Sequence, residues 1–160
     1  MDQAAEESDK QITLLTNKVA NRGRAEAKGE MTLDILTSLG RRVNHVLPEG
    51  IEGTYEAVKE AVARGRHIIA VGGDGFIHHV VQECAETSAT LGVIPAGTGN
   101  DFAFGLGLPR DLEDAVRSAV SPSRPVDVLK FERSMGERRY GATIATAGFS
   151  ATVNVRADAM

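Results

Sequence analysis

Hydrophobic positions along this chain switch repeatedly between strand-like runs and helical spacing. Ile12-Thr13-Leu14-Leu15-Thr16 is a short apolar run that predicts a strand. Asn17 to Arg24 reads as a loop. Met31, Ile35 and Leu39 recur at i+4 with Leu36 beside them, and Gly40 stands at C′, so an amphipathic helix is expected. Val43 to Leu47 is a second strand, broken by Pro48-Glu49-Gly50. Thr54 is the expected N-cap of a helix with Ala57, Val58, Ala61 and Val62 on one face and Gly65 at its end. His67-Ile68-Ile69-Ala70-Val71 is apolar without alternation, as in a strand buried on both faces of a parallel sheet. It stops at Gly72-Gly73-Asp74-Gly75. Phe76, Val80 and Cys84, with Ile77 and Val81, then mark a helix that begins at the glycine turn. Leu91 to Ile94 is the next strand. Asp111 is the expected cap of a helix bearing Leu112, Ala115, Val116, Ala119 and Val120, and Asp114 in its first turn favours the same end.

Strand–helix alternation from about residue 11 predicts an α/β domain with a mainly parallel sheet and flanking helices. Ser121-Pro122-Ser123-Arg124-Pro125 reads as a linker, which places the domain at 11–124. Beyond it, Val126 to Phe131 and Tyr140 to Ala147 are β-rich runs joined by a Ser134-Met135-Gly136-Glu137 turn. With no helix between them, they are expected to pair antiparallel. Residues 125–160 therefore read as the start of a β-rich domain that does not finish, and polar residues 1–10 as a disordered tail.

Composition narrows the function. The 160 residues are 42% hydrophobic and 25% charged, a globular balance that excludes wholesale disorder and a coiled coil. No run nears the ~18 apolar residues of a membrane span. The first residues are acidic and lack the apolar core of a secretory signal. Net charge is −4, which argues against a sequence-independent grip on nucleic acid. The one cysteine, Cys84, forms neither an internal disulfide nor a thiolate zinc cluster, and the chemistry reads as cytoplasmic.

Candidate chemistry lies in two glycine-rich loops at predicted strand ends, where ligands of open α/β sheets bind. Gly72-Gly73-Asp74-Gly75 lets the backbone approach a ligand, and the helix after it aims free N–H groups at the same place. A phosphate is the expected guest. Asp74 beside a phosphate calls for Mg²⁺ or a reacting hydroxyl between them; the alternative is a helix cap. Pro95-Ala96-Gly97-Thr98-Gly99-Asn100-Asp101 is the second loop, with a hydroxyl and an amide to offer. Neither a Walker A loop nor a dinucleotide fingerprint is present: no Gly-Lys-Ser/Thr occurs, and His78 stands where the latter needs glycine.

The two loops, in this order and some twenty residues apart, resemble the diacylglycerol kinase catalytic domain; bacterial lipid kinases and sphingosine kinases share them. NAD kinases share only the Gly-Gly-Asp-Gly part. Asn17 to Ala25 resembles the family's first nucleotide loop, and Ala147 to Ala151 with Asn154 the start of its second domain. The resemblance implies an NAD kinase/diacylglycerol kinase-like N-terminal α/β domain followed by the first strands of an incomplete antiparallel β domain. It implies ATP and Mg²⁺ as cofactors and a lipid hydroxyl, such as that of diacylglycerol, as acceptor. Gly73, Asp74 and Gly75 would face the nucleotide phosphates, with Asp74 catalytic and nearest the transferred group. Thr98, Gly99 and Asn100 would complete the pocket and Asn17 would approach it; Gly72 and Gly97 belong to the same loops. The metal ligands are not implied. Departures from the family pattern are Lys18 for proline, Asn21 for glycine, Phe76 for threonine, His79 for glutamate, Gln82 for asparagine and Phe104 for a basic residue. A nucleotide-binding module without catalysis, an NAD kinase-like enzyme and purely structural glycine turns are the alternatives.

Of the other residues, adjacent His78 and His79 diverge by ~100° on a helix and do not make an i,i+4 metal pair. Cys84 is expected to pack rather than react. Asp101 reads equally as a cap for a short helix at Phe102 or as a ligand contact. Arg22 and Arg24 read equally as phosphate or headgroup contacts or as a solvated loop; Arg41-Arg42 and Arg138-Arg139 read as surface charge. Transient contact with a membrane surface and a homo-oligomer are compatible with this reading.

Overall fold

The computed structural model describes residues 11–18, 24–132 and 138–142. Four parallel strands, β1 (Ile12–Thr16), β2 (Val43–Val46), β3 (His67–Gly72) and β4 (Leu91–Pro95), form one sheet in the order β2-β1-β3-β4. In register, Ile12 lies between Val43 and His67, and Ile68 opposite Leu91. The helices are α1 (Arg24–Ser38), α2 (Gly50–Ala63), α3 (Asp74–Cys84), α4 (Asp101–Gly105) and α5 (Leu112–Ala119).

Connection handedness sorts the helices. The chain steps outward from β1 to β2, then back across β1 to β3 and on to β4. Right-handed crossovers must therefore put α1 on one face and α2 and α3 on the other. The two cores follow this rule. Leu15, Ile68 and Ala70 meet Val58, Ala61, Ile77 and Val80 on one face. Ile12, Leu14, Ile69 and Val71 meet Ala25, Leu36, Ala115 and Val116 on the other. Alternate residues of β1 and β3 feed opposite cores, which explains the apolar run of β3 and the full burial of β1. The strand order reverses between β1 and β3, so the crevice beyond their carboxyl ends is the place this topology offers a ligand.

The buried stripe of α1 differs from the expected one. Ala25, Gly29, Thr32 and Leu36 face the sheet, whereas Met31 is 55% and Leu39 37% exposed. A side chain on Gly29 would collide with Thr16, so the helix sits closer to β1 than a large apolar stripe allows. Thr32 is buried without an unmet hydroxyl because it donates to Lys28 O at 2.7 Å. Small and hydroxylated residues thus form the contact face, and an apolar-only pattern overlooks them. Gly40 does end the helix region in a left-handed conformation, φ 73°.

Thr54 is not the cap of α2. The N-cap is Glu49, and Thr54 is a buried residue inside the helix whose hydroxyl donates to Gly50 O at 2.8 Å. Asp111 does cap α5, accepting from Asp114 N–H at 3.1 Å.

Beyond α5 an exposed segment leads to β5 (Leu129–Glu132) and β6 (Arg138–Gly141), an antiparallel pair with Phe131 opposite Arg139. Val126 to Val128 lie outside the strand, and β6 starts two residues earlier than Tyr140. The tail before residue 11, the turn at 134–137 and the run from 147 to 154 lie outside the described residues. The pair is docked on α3 by Gln82, whose side-chain amide imitates a neighbouring strand. Its Nε2 donates to Tyr140 O at 2.6 Å and its Oε1 accepts from Tyr140 N–H at 2.9 Å. Lys130 Nζ adds a 2.8 Å ion pair to Glu86. Among the described residues, no helix is long and apolar enough to cross a membrane.

The revised stripe of α1 makes a direct prediction. Leu36→Ala will lower stability by about 2–5 kcal/mol, while Met31→Ala will change it by less than about 0.5 kcal/mol. Urea denaturation of both variants measures the difference.

Candidate active site

The site forms where β1, β3 and β4 end. Asn17 leaves β1 and donates its N–H to Val71 O of β3 at 3.1 Å. One strand over, Ala96 N–H donates to Gly72 O at 2.9 Å, so the second glycine loop starts in register with the first. The loops then touch through bare backbone. A side chain on Gly97 would stand 2.6 Å from Gly73 Cα, and one on Gly73 would stand 3.0 Å from Gly97 Cα. Only glycine at both positions permits this approach.

Asp74 locks the contact. Gly73 is the N-cap of α3 and Asp74 its first residue, so the capping role considered for Asp74 belongs to its neighbour. The carboxylate reaches across instead: its Oδ1 accepts from Phe102 N–H at 3.0 Å. Phe102 lies in the first turn of α4, whose orphan amides need partners. Asp74 therefore supplies from α3 a cap that α4 lacks locally. Asp101 is the first residue of α4 and does not cap it; the N-cap is Asn100.

Asn100 shapes the second loop. It adopts the left-handed conformation, φ 64°, which asparagine tolerates better than most residues. Its Oδ1 accepts from Gly97 N–H at 2.8 Å and its Nδ2 donates to Gly97 O at 2.9 Å. The loop is thus closed upon itself before any ligand arrives. Thr98 and Gly99 are exposed on its rim, and Gly75 is exposed on the first loop. All the expected site residues therefore gather at one end of the sheet: Asn17, Gly72 to Gly75 and Gly97 to Asn100.

Two cations missed from the sequence flank the second loop. Lys28 of α1 donates to Pro95 O at 2.6 Å. Burial lowers its ammonium pKa, and the Asp111 charge opposes that. Arg110 lies over the Phe104 ring, 4.4 Å from its centroid, so the aromatic residue standing where a basic one is common carries a guanidinium on its face. Lys28 was legible only as the i+4 neighbour of Arg24; Arg110 has no sequence signal.

The helix side chains are less suited to chemistry. His78 and His79 stand consecutively on α3, the first exposed and the second half-buried, with their rings edge-on at 5.6 Å. His79 Nδ1 is 3.0 Å from Tyr55 Oη. Burial, then the charges of His78 and Arg139, lower the His79 pKa against the pull of Glu52. Burial, assisted by Glu83, pushes the Cys84 thiol up to about 12, which removes it as a nucleophile. No cluster of three or more His, Cys, Asp or Glu that could hold a metal occurs among the described residues. A cavity of about 580 Å³ lies beyond the outer edge of β4, between Cys84 and the Pro122–Val128 segment, and touches neither glycine loop. The convergence of backbone, carboxylate and cations favours the loop end over that space.

Gly97→Ala will drive the loops apart and lower stability by about 1–3 kcal/mol, as overpacking of a close contact does. Thermal and urea unfolding check this.

Comparison with known proteins agrees with the geometry. The family model of the diacylglycerol kinase catalytic domain matches residues 11–131. A protein named diacylglycerol kinase from Mycobacterium tuberculosis is 32% identical over 152 residues, 93% of this chain and 49% of that one. A "probable lipid kinase YegS-like" protein of Chromohalobacter salexigens is 38% identical over 110 residues, 66% of this chain and 33% of its own. The crystal structure of a diacylglycerol kinase from Bacillus anthracis superposes with a TM-score of 0.62 at 26% identity, covering 74% of this chain and 45% of that one. The chain spans about half the length of these relatives or less. On the family model and the shared loops, it belongs to the diacylglycerol kinase catalytic domain family.

Proposed function

We propose that this chain is the nucleotide-binding half of an ATP-dependent lipid kinase. The enzyme transfers the γ-phosphoryl group of ATP to a lipid hydroxyl such as that of diacylglycerol, in the cytoplasm, at a membrane surface. The observation that carries this reading is the backbone contact between the two glycine loops at the ends of β3 and β4, beside the β1/β3 switch point. It leaves exposed loop backbone and the N-terminus of α3 facing one crevice, an arrangement suited to phosphate oxygens.

In the reaction, the acceptor oxygen bonds to the γ-phosphorus as the bond to the β–γ bridging oxygen breaks. The hydroxyl proton leaves to a base and ADP departs. Catalysis of this kind is positioning and charge neutralisation. Gly73, Gly75, Thr98 and Gly99 would border the phosphates, with Asn17 approaching from the end of β1. Asn100 holds the second loop in shape. Asp74 has one oxygen committed to Phe102 N–H, and a carboxylate retains further lone pairs for a cation. Mg²⁺ is commonly held by one or two carboxylates together with phosphate oxygens and water, so Asp74 fits that role without a protein cage. The ion would neutralise charge on the phosphates.

A nucleotide-binding module without transfer is the second reading. It is favoured by Phe76 and His79, which give a buried ring and a Tyr55 contact where the family pattern has threonine and glutamate.

ATP with Mg²⁺ will raise the melting temperature of the chain. Asp74→Asn keeps an oxygen for Phe102 N–H, so the fold survives, and phosphoryl transfer to diacylglycerol in mixed micelles will fall about 10²–10³-fold. Gly75→Ala meets no protein atom within 4 Å. It will leave stability unchanged or raise it by up to about 1 kcal/mol, yet weaken ATP binding. Absence of any response to nucleotide overturns the proposal; ATP binding without lipid phosphorylation in a protein that joins this chain to a substrate-binding half selects the second reading.

A further inference from the structure

We propose that Lys28 and Arg110, with Arg24 at the rim, form a phosphate-binding pocket behind the second glycine loop. The cavity there measures about 240 Å³ and is lined by Arg24, Lys28, Gly97, Asn100, Phe104 and Arg110, with Pro95 and Ala96 at its base. At ~30 Å³ per water molecule this is room for a phosphate and part of its hydration. Three lining residues are cationic and none is acidic; the charge of Asp111 acts on Lys28 from outside the lining.

Lys28 and Arg110 are each held in place by something other than an anion. Lys28 spends one of its three N–H donors on Pro95 O, which anchors the ammonium over the loop. The guanidinium of Arg110 is fixed against the Phe104 ring, and stacking of this kind leaves its in-plane donors available. Arg24 starts α1 one turn before Lys28, so the two share a face. The loop itself cannot offer Gly97 N–H here, because Asn100 Oδ1 already takes it. Anion binding on this side must therefore come from the side chains, and their charge is what the cavity concentrates. Drawing a lysine into partial burial lowers its ammonium pKa, a cost that a phosphate dianion beside it offsets.

The shared ligand chemistry is a phosphate group, and two sources provide it: the nucleotide held by the glycine loops, or inorganic phosphate taken up independently. The first source rests on the nucleotide reading; the second does not. Isothermal titration calorimetry of the full chain at low salt, with ATP, inorganic phosphate and adenosine as probes, separates them. The variants are Lys28→Met, Arg110→Gln and the double variant, each checked by circular dichroism and melting temperature. Arg110 is exposed, so Arg110→Gln alone tests the pocket if Lys28→Met disturbs the fold.

The expected result is a loss of at least tenfold in affinity for ATP in the double variant, with a smaller loss in each single one and adenosine unaffected. If inorganic phosphate alone loses affinity, the pocket stands and its ligand is a separate phosphate. If wild-type protein binds phosphate but no nucleotide, the pocket stands and the nucleotide reading falls. If neither ATP nor phosphate affinity depends on Lys28 or Arg110, the pocket is overturned. Should Asp74→Asn still alter ATP binding in that case, the nucleotide reading survives it.

Discussion

Between the ends of β3 and β4 the chain brings Gly73 and Gly97 together with no side chain separating them, and a carboxylate then reaches over the junction. Most of what surrounds the site depends on this approach. If either residue carried a Cβ, the loops would have to separate by an appreciable part of an ångström. Asp74 would then lose Phe102 N–H, and α4 would lose the cap that Asp74 supplies. The contact thus turns two separate turns into one surface. Parallel strands make this economical, since they deliver consecutive loops to the same edge of the sheet.

The parts of the fold legible in the sequence are those written in apolar periodicity and in punctuation. The unbroken run of β3, the helix after Gly75, the Asp111 cap and the glycine at 40 all carry local signals, and each appears where the pattern puts it. What was not legible depends on shape rather than polarity. Gly29 and Thr32 face the sheet because α1 lies close to Thr16, which no hydropathy pattern encodes. Thr54 resembles a cap in composition, yet satisfies its hydroxyl inside the helix.

The site divides in the same way. Motif spacing identified both glycine loops, because glycine is informative where backbone must approach backbone. It could not distinguish ligand-facing residues from those that hold the loop together. Asn100 and Asp74 both spend polar atoms on the protein itself, and this pre-organisation is how a rigid site avoids ordering its loops when ligand binds. Lys28 and Arg110 are brought to the second loop by α1 and the α4–α5 connection, so only the tertiary fold reveals them. Gln82 shows the same principle at the domain edge: its value lies in matching the backbone of β6, which residue identity alone does not announce.

The central claim is that the two glycine loops act as one phosphate-binding surface. Backbone amide NMR during an ATP·Mg²⁺ titration tests it most directly. The account predicts concerted shifts at the amides of residues 73–76 and 98–102, saturating with a single affinity, while Leu91, Thr87 and Ser121 around the cavity at the β4 edge stay unmoved. Shifts confined to one loop, two distinct affinities for the two loops, or shifts centred on the β4-edge cavity would contradict it.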